Sequence, residues 1–130
     1  MPWVEAFALF AVSHLVGDYL LQTDWQATHK RGGLRADAVA RRALLSHVAT
    51  YTVAFVPALL LVADHAVPDM LWMAVLVAVP HAVQDDGRLV AWWMRRIKGA
   101  EVRTQPVAAL AVDQTLHVVA LLALALVAGH

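Results

Sequence analysis

The sequence predicts an all-α integral membrane protein, a bundle of four helices, and three observations carry that expectation. Hydrophobic residues fill 61% of the 130 positions and the mean hydropathy is +0.61, beyond the roughly 45–50% apolar content of ordinary soluble domains. Four segments, 2–22, 43–63, 70–94 and 106–128, approach the about 20 helical residues that a hydrocarbon core of about 30 Å demands. All ten lysines and arginines lie in or beside two of the connections between these segments.

The first segment lacks a basic leader and a small-residue cleavage site, so it reads as a retained helix and not as a signal peptide. The second starts beyond Arg41 and Arg42 and contains Pro57. The third is apolar over 70–83 and amphipathic as far as Met94. Its Pro80 cannot supply a helical amide hydrogen bond and is expected to kink the helix just before His81, freeing the carbonyl of Leu76. The fourth follows Pro106 and ends in an Ala/Leu/Val run. Four spans fill the chain, which is expected to be one domain, 1–130.

Lysine and arginine are retained on the cytoplasmic side of a membrane. Lys30, Arg31, Arg35, Arg41 and Arg42 mark the first connection, and Arg88, Arg95, Arg96, Lys98 and Arg103 the third. Both termini are therefore expected on the extracytoplasmic side. The basic loops fit topology and contact with anionic lipid better than nucleic-acid binding. The five tryptophans lie near helix ends, as in an interfacial aromatic belt. No cysteine is present, which excludes disulfides, thiolate metal sites and cysteine nucleophiles.

Against this apolar background the intramembrane polar residues stand out. "HLVGDYLLQ" carries His14 and Asp18, "HAVQDD" carries His81 and Asp85, and "DQTLH" carries Asp113 and His117. Each pair has the i, i+4 spacing that puts two side chains on one helical face, the geometry by which two histidines on a helix hold zinc. The remaining helix contributes His47. At about 1.5 Å per residue all seven fall in the half of the bilayer nearest the basic loops. An antiparallel bundle can bring them to one layer, as in di-metal helical bundles.

An aspartate at mid-membrane costs about 2.5–3.5 kcal/mol on insertion scales, which favours a shared divalent cation. Mixed nitrogen and oxygen ligands suit Zn²⁺ or Fe²⁺, with Mn²⁺ next, and seven candidates are enough for one or two ions. The bland alternative is a hydrogen-bonded polar core, for which His47 taken alone is as good a candidate as for a ligand. Gln22, Asp86 and Gln114 read as supporting or interfacial residues, and His29, His65 and His130 as exposed. Ser13 and Gly17 form a small-xxx-small step that permits close helix approach.

"HLVGDYLLQTDW", a lone histidine in the next helix, H-x-x-x-D and "DQTLH" together resemble the bacterial membrane family called domain of unknown function 3307 over nearly the whole chain. More distantly they are similar to small inner-membrane metal-dependent hydrolases. The resemblance implies a multi-pass protein of the bacterial inner (cytoplasmic) membrane, with ligands at His14, Asp18, His81, Asp85, Asp113 and His117 and with His47 as a further member. "HAVQDD" departs from the more apolar form of that motif and leaves Asp85 and Asp86 as competing candidates.

The expected function is metal-dependent hydrolysis of a membrane lipid or lipid-linked substrate, with Asp18 or Asp85 accepting the proton. A di-iron oxidase or desaturase, a b-type haem protein and a metal or proton transporter are the alternatives from other classes. For so small a bundle a homodimer is an option.

Overall fold

A computed structural model describes residues 1–35 and 37–129, which leaves His130 outside the described residues. Helix α1 (Trp3–Leu15) continues as a π-helix over Val16–Leu21. It is followed by a short α2 (Asp24–His29), then α3 (Ala38–Val62) and α4 (Val67–Asp85). A short α5 (Arg88–Trp93), continued as a π-helix over Met94–Lys98, leads to α6 (Pro106–Ala128). No strand occurs among the described residues.

Four of these helices, Trp3–Leu21, Ala38–Val62, Val67–Asp85 and Pro106–Ala128, are long and apolar enough to cross a membrane. Their outer faces carry exposed aliphatic side chains such as Leu20, Val53, Val107 and Val127. That inverted exposure suits a lipid solvent and would be a liability in water. The helices pack in a closed ring, α1 on α3, α3 on α4, α4 on α6 and α6 on α1. Both termini lie at one end, where the Gly129 backbone packs so closely on Trp3 that an added Cβ would meet its Cα at 2.5 Å.

Helix limits depart from the hydropathy reading in two places. Helix α3 begins at Ala38 because the Asp37 carboxylate caps it, accepting from the amides of Val39 and Ala40; a capping aspartate stabilises a first turn that apolar content alone cannot reveal. The expected continuous helix over 70–94 is instead two helices. It starts earlier, at Val67, and breaks after Asp85, where Gly87 takes a left-handed conformation with φ 88°. The Asp86 carboxylate accepts from the Leu34 amide and pairs with Arg88, while its carbonyl accepts from the Gly32 amide. These bonds lock the first and third connections together at the end opposite the termini. Helix α4 runs through Pro80, and α3 through Pro57, without interruption.

Two apolar clusters bracket the polar residues. The larger, toward the termini, contains Phe10, Tyr51, Phe55, Met73, Val77, Leu121 and Leu124. The smaller, near the basic connections, contains Val90, Met94 and Ala109.

Candidate metal centre

One helical turn separates the larger core cluster from a layer of histidines on all four spanning helices: Phe10 leads to His14, Tyr51 to His47, Val77 to His81 and Leu121 to His117. A further turn toward the basic end brings Asp18, Asp85 and Asp113, with the buried Ala43 at the matching position of α3. All four histidines and Asp85 are buried. The i, i+4 pairs thus become two stacked layers, imidazoles above carboxylates.

Four donor atoms converge at the centre. Nε2 of His47 lies 3.1 Å from Oδ1 of Asp18, 3.0 Å from Oδ2 of Asp85 and 2.9 Å from Nε2 of His81. Nε2 of His81 lies 3.1 Å from the same Asp85 oxygen and 3.5 Å from Asp18 Oδ1. Ligands at about 2.0–2.1 Å from a tetrahedral ion are separated by about 3.3 Å, so five edges of this set have the size of a zinc-like polyhedron.

Asp85 also faces a second group. Its Oδ1 lies 3.1 Å from Nε2 of His117, and Asp85, Asp113 and His117 form another set close enough to share an ion. The His117 ring donates from Nδ1 to the carbonyl of Asp113 at 2.7 Å, which fixes its tautomer and turns Nε2 inward. That Nε2 has no hydrogen-bond partner of its own. The second group is the more open of the two, because the Asp113 side chain is 24% exposed against 6% for Asp18, although all three carboxylates line one cleft. The first group, with four donors of which His47, His81 and Asp85 are buried, is the more closed set, whereas three donors with an opening resemble sites that keep a position for water or substrate.

The structure brings Asp18, His47, His81, Asp85, Asp113 and His117 into these two groups and leaves His14 outside them. The nitrogens of His14 are engaged elsewhere, Nε2 with Gln114 Oε1 at 2.8 Å and Nδ1 with the Tyr51 hydroxyl at 2.9 Å. Its approach to Asp18 is 3.6 Å. Asp86 faces the connections, so Asp85 is the member of "DD" in the cluster. Both oxygens of Asp85 have imidazole neighbours, Oδ2 those of His47 and His81 and Oδ1 that of His117. The 2.9 Å between the His47 and His81 nitrogens leaves no space for a porphyrin between that pair, against the haem alternative.

Three residues of the site were not foreseen. Tyr51 stacks flat on His81, ring centroids 3.5 Å apart, while bonding His14. Its ring packs against Gly17, where a Cβ would meet it at 2.6 Å. Gly17 lies in the π-helical turn that carries Asp18, and such turns often mark functional sites. Lys30 reaches in from the end of α2 to Asp85 Oδ2 at 2.7 Å and Gln22 Oε1 at 2.6 Å. The signal for it was "TDWQ": Thr23 and Gln26 form a capping box that starts α2, and Gln26 ties that helix to Ser46. Gln84 is buried and bonds the Leu116 carbonyl, joining α4 to α6 beside the centre.

No curated protein and no solved structure matches the chain. The family model described as Protein of unknown function (DUF3307) matches residues 6–130, nearly the whole length, and the chain belongs to that family.

Proposed function

We propose that the chain is a membrane metalloprotein with a two-ion centre bridged by Asp85, and that it hydrolyses an ester bond of a lipid or lipid-linked substrate. The observation that carries this reading is the convergence of two imidazole nitrogens and two carboxylate oxygens at 2.9–3.5 Å around one buried point. Asp18, His47, His81 and Asp85 would hold one ion, and Asp85, Asp113 and His117 the other. Nitrogen and oxygen donors without sulfur fit Zn²⁺, Fe²⁺ or Mn²⁺.

When bound, an ion at the open group supplies Lewis-acid polarisation of the ester and lowers the pKa of a water toward 7. Asp113 presents that group to the cleft, where the ester would lie. Asp18 also lines the cleft, and its Oδ2 is clear of the four-donor cluster, 3.6 Å from His14. It is placed to accept the proton as the water oxygen bonds to the phosphorus or carbonyl carbon, and to return it to the leaving oxygen as the ester bond breaks. Tyr51 and Gln114 hold His14 behind it, and the Gln114 amide, donating to Asp113 Oδ2, links the two sides of the centre.

The test is incubation of the reconstituted, Zn- or Mn-loaded chain with phosphate-ester and carboxylic-ester lipids in heavy-oxygen water. Metal-dependent release of product carrying one oxygen from water is expected, and lost in Asp113→Asn. Product oxygen drawn from dissolved dioxygen, or turnover indifferent to metal, would overturn hydrolysis.

A further inference from the structure

A cleft of about 220 Å³ opens onto Asp18, Asp85 and Asp113. It holds several waters, at about 30 Å³ each, but is smaller than the about 300–1,000 Å³ of pockets that enclose a whole organic ligand. A polar headgroup fits inside and an acyl chain does not.

The walls differ in chemistry. On one side are Tyr19 and Leu110, which line the cleft yet are 58% and 54% exposed. Both belong to helices long and apolar enough to cross a membrane, so this rim faces hydrocarbon. On the other side are Lys30 and Arg31, from the basic first connection. Lys30 is paired with Asp85, but Arg31 has no carboxylate partner among the described residues. The Arg31 stem lies beside Gly87, where an added Cβ would stand 3.5 Å from its Cγ, at ordinary contact distance. The cleft is therefore apolar toward the membrane, cationic toward the connections and floored by the candidate metal centre.

We infer that the substrate is a lipid whose headgroup ends in a phosphate monoester, which enters laterally between Tyr19 and Leu110 and places its phosphate against Arg31 and Lys30. The inference deepens the hydrolytic reading and rests on it for the word substrate, but the binding geometry stands on the cleft alone. A guanidinium matches phosphate oxygens with paired donors, and an ammonium adds a point charge. The tail remains in the bilayer beside the exposed faces of α1 and α6.

The chain has no cysteine, so Leu110→Cys provides a single labelling site at the rim. The full chain, labelled there with a small fluorophore, is placed in phosphatidylcholine vesicles doped with a quencher-bearing phosphatidate, phosphatidylserine or phosphatidylcholine. Quenching at a severalfold lower mole fraction of phosphatidate than of the other two is expected, and Arg31→Gln should reduce that preference to the level of phosphatidylserine. Equal quenching by phosphatidate and phosphatidylserine, or a preference that survives both Arg31→Gln and Lys30→Gln, would overturn the inference. Glycerol phosphate, which lacks a tail, should fail to relieve the quench; relief mole for mole would show a site for soluble phosphate esters and contradict lateral entry. Metal content is read on the same samples. A preference without any metal overturns the metal centre and leaves this cleft standing, whereas no preference with metal intact overturns the cleft alone.

Discussion

Nε2 of His117 lies 3.1 Å from Oδ1 of Asp85, while Nδ1 of the same ring donates to the Asp113 carbonyl. Nε2 faces the carboxylate oxygen without hydrogen-bond alignment, and in a neutral ring with its proton on Nδ1 it would be an acceptor turned toward an acceptor. Held this close in a buried place, the nitrogen and the oxygen need a proton on Nε2 or a metal ion between them, and the same carboxylate meets His47 and His81 through its other oxygen. Asp85 is thus the residue common to both groups.

Removal of that shared carboxylate should cost more metal than removal of any other ligand. Asp85→Ala is expected to abolish binding of both ions, whereas Asp113→Ala should leave the closed group its four donors and retain one ion. Elemental analysis of each purified variant, with helicity checked by circular dichroism, reads the difference. Equal metal loss in both would contradict a bridge at Asp85.

His14 should behave as a support and not as a ligand. Its nitrogens meet Tyr51 and Gln114, so His14→Gln is expected to keep the metal stoichiometry and weaken affinity by about the 10–100-fold typical of residues that orient ligands. Competition with a graded chelator series measures this. Complete loss of one ion would return His14 to the ligand set.

The close contact between Gly17 and Tyr51 leaves no room for a methyl group. Gly17→Ala should destabilise the bundle by about 1–3 kcal/mol, the usual cost of overpacking, and displace Asp18 with it. Thermal unfolding in detergent, with and without added Zn²⁺, checks both effects. Unchanged stability would mean that α1 and α3 are not so closely packed in the membrane.

How much was legible in the sequence follows from the kind of interaction involved. The spans and the ligand pairs rest on local periodicity, and the i, i+4 spacing of Asp18, Asp85 and Asp113 from their histidines survives directly as two layers. His14 falls outside the two groups because a partner 100 residues away, Gln114, holds its nitrogen, and no local pattern reports that. Lys30 looked like a topology signal because a basic loop residue carries the same charge whether it faces lipid or Asp85. The break at Gly87 is not legible because an amphipathic reading carries the helix through the polar run 84–88 to Met94, whereas the left-handed turn goes with what Asp86 bonds in another connection.

Asp86 supplies a pH signature separate from the centre. Burial alone would raise its pKa, but the Arg88 guanidinium and the Leu34 amide hold it below the usual carboxylate range. A carboxylate whose pKa is depressed by folding adds stability above its unfolded pKa of about 3.9, and that stability is lost as pH falls through the folded value. Unfolding midpoints measured downward from pH 6 should therefore fall less steeply in Asp86→Asn than in the parent below about pH 4. Arg88 is half exposed, so added salt should weaken the contrast. Parallel curves would show that the contacts of Asp86, with Arg88 and with the Leu34 amide of the first connection, contribute nothing.

The central claim is the metal centre, and its most direct test is elemental analysis of the untagged chain, purified in mild detergent without chelator. About two equivalents of Zn, Fe or Mn per chain are expected, as in bundle sites with bridging carboxylates. No bound metal, before or after reconstitution with each of these ions, would contradict the centre and make the two layers a hydrogen-bonded core.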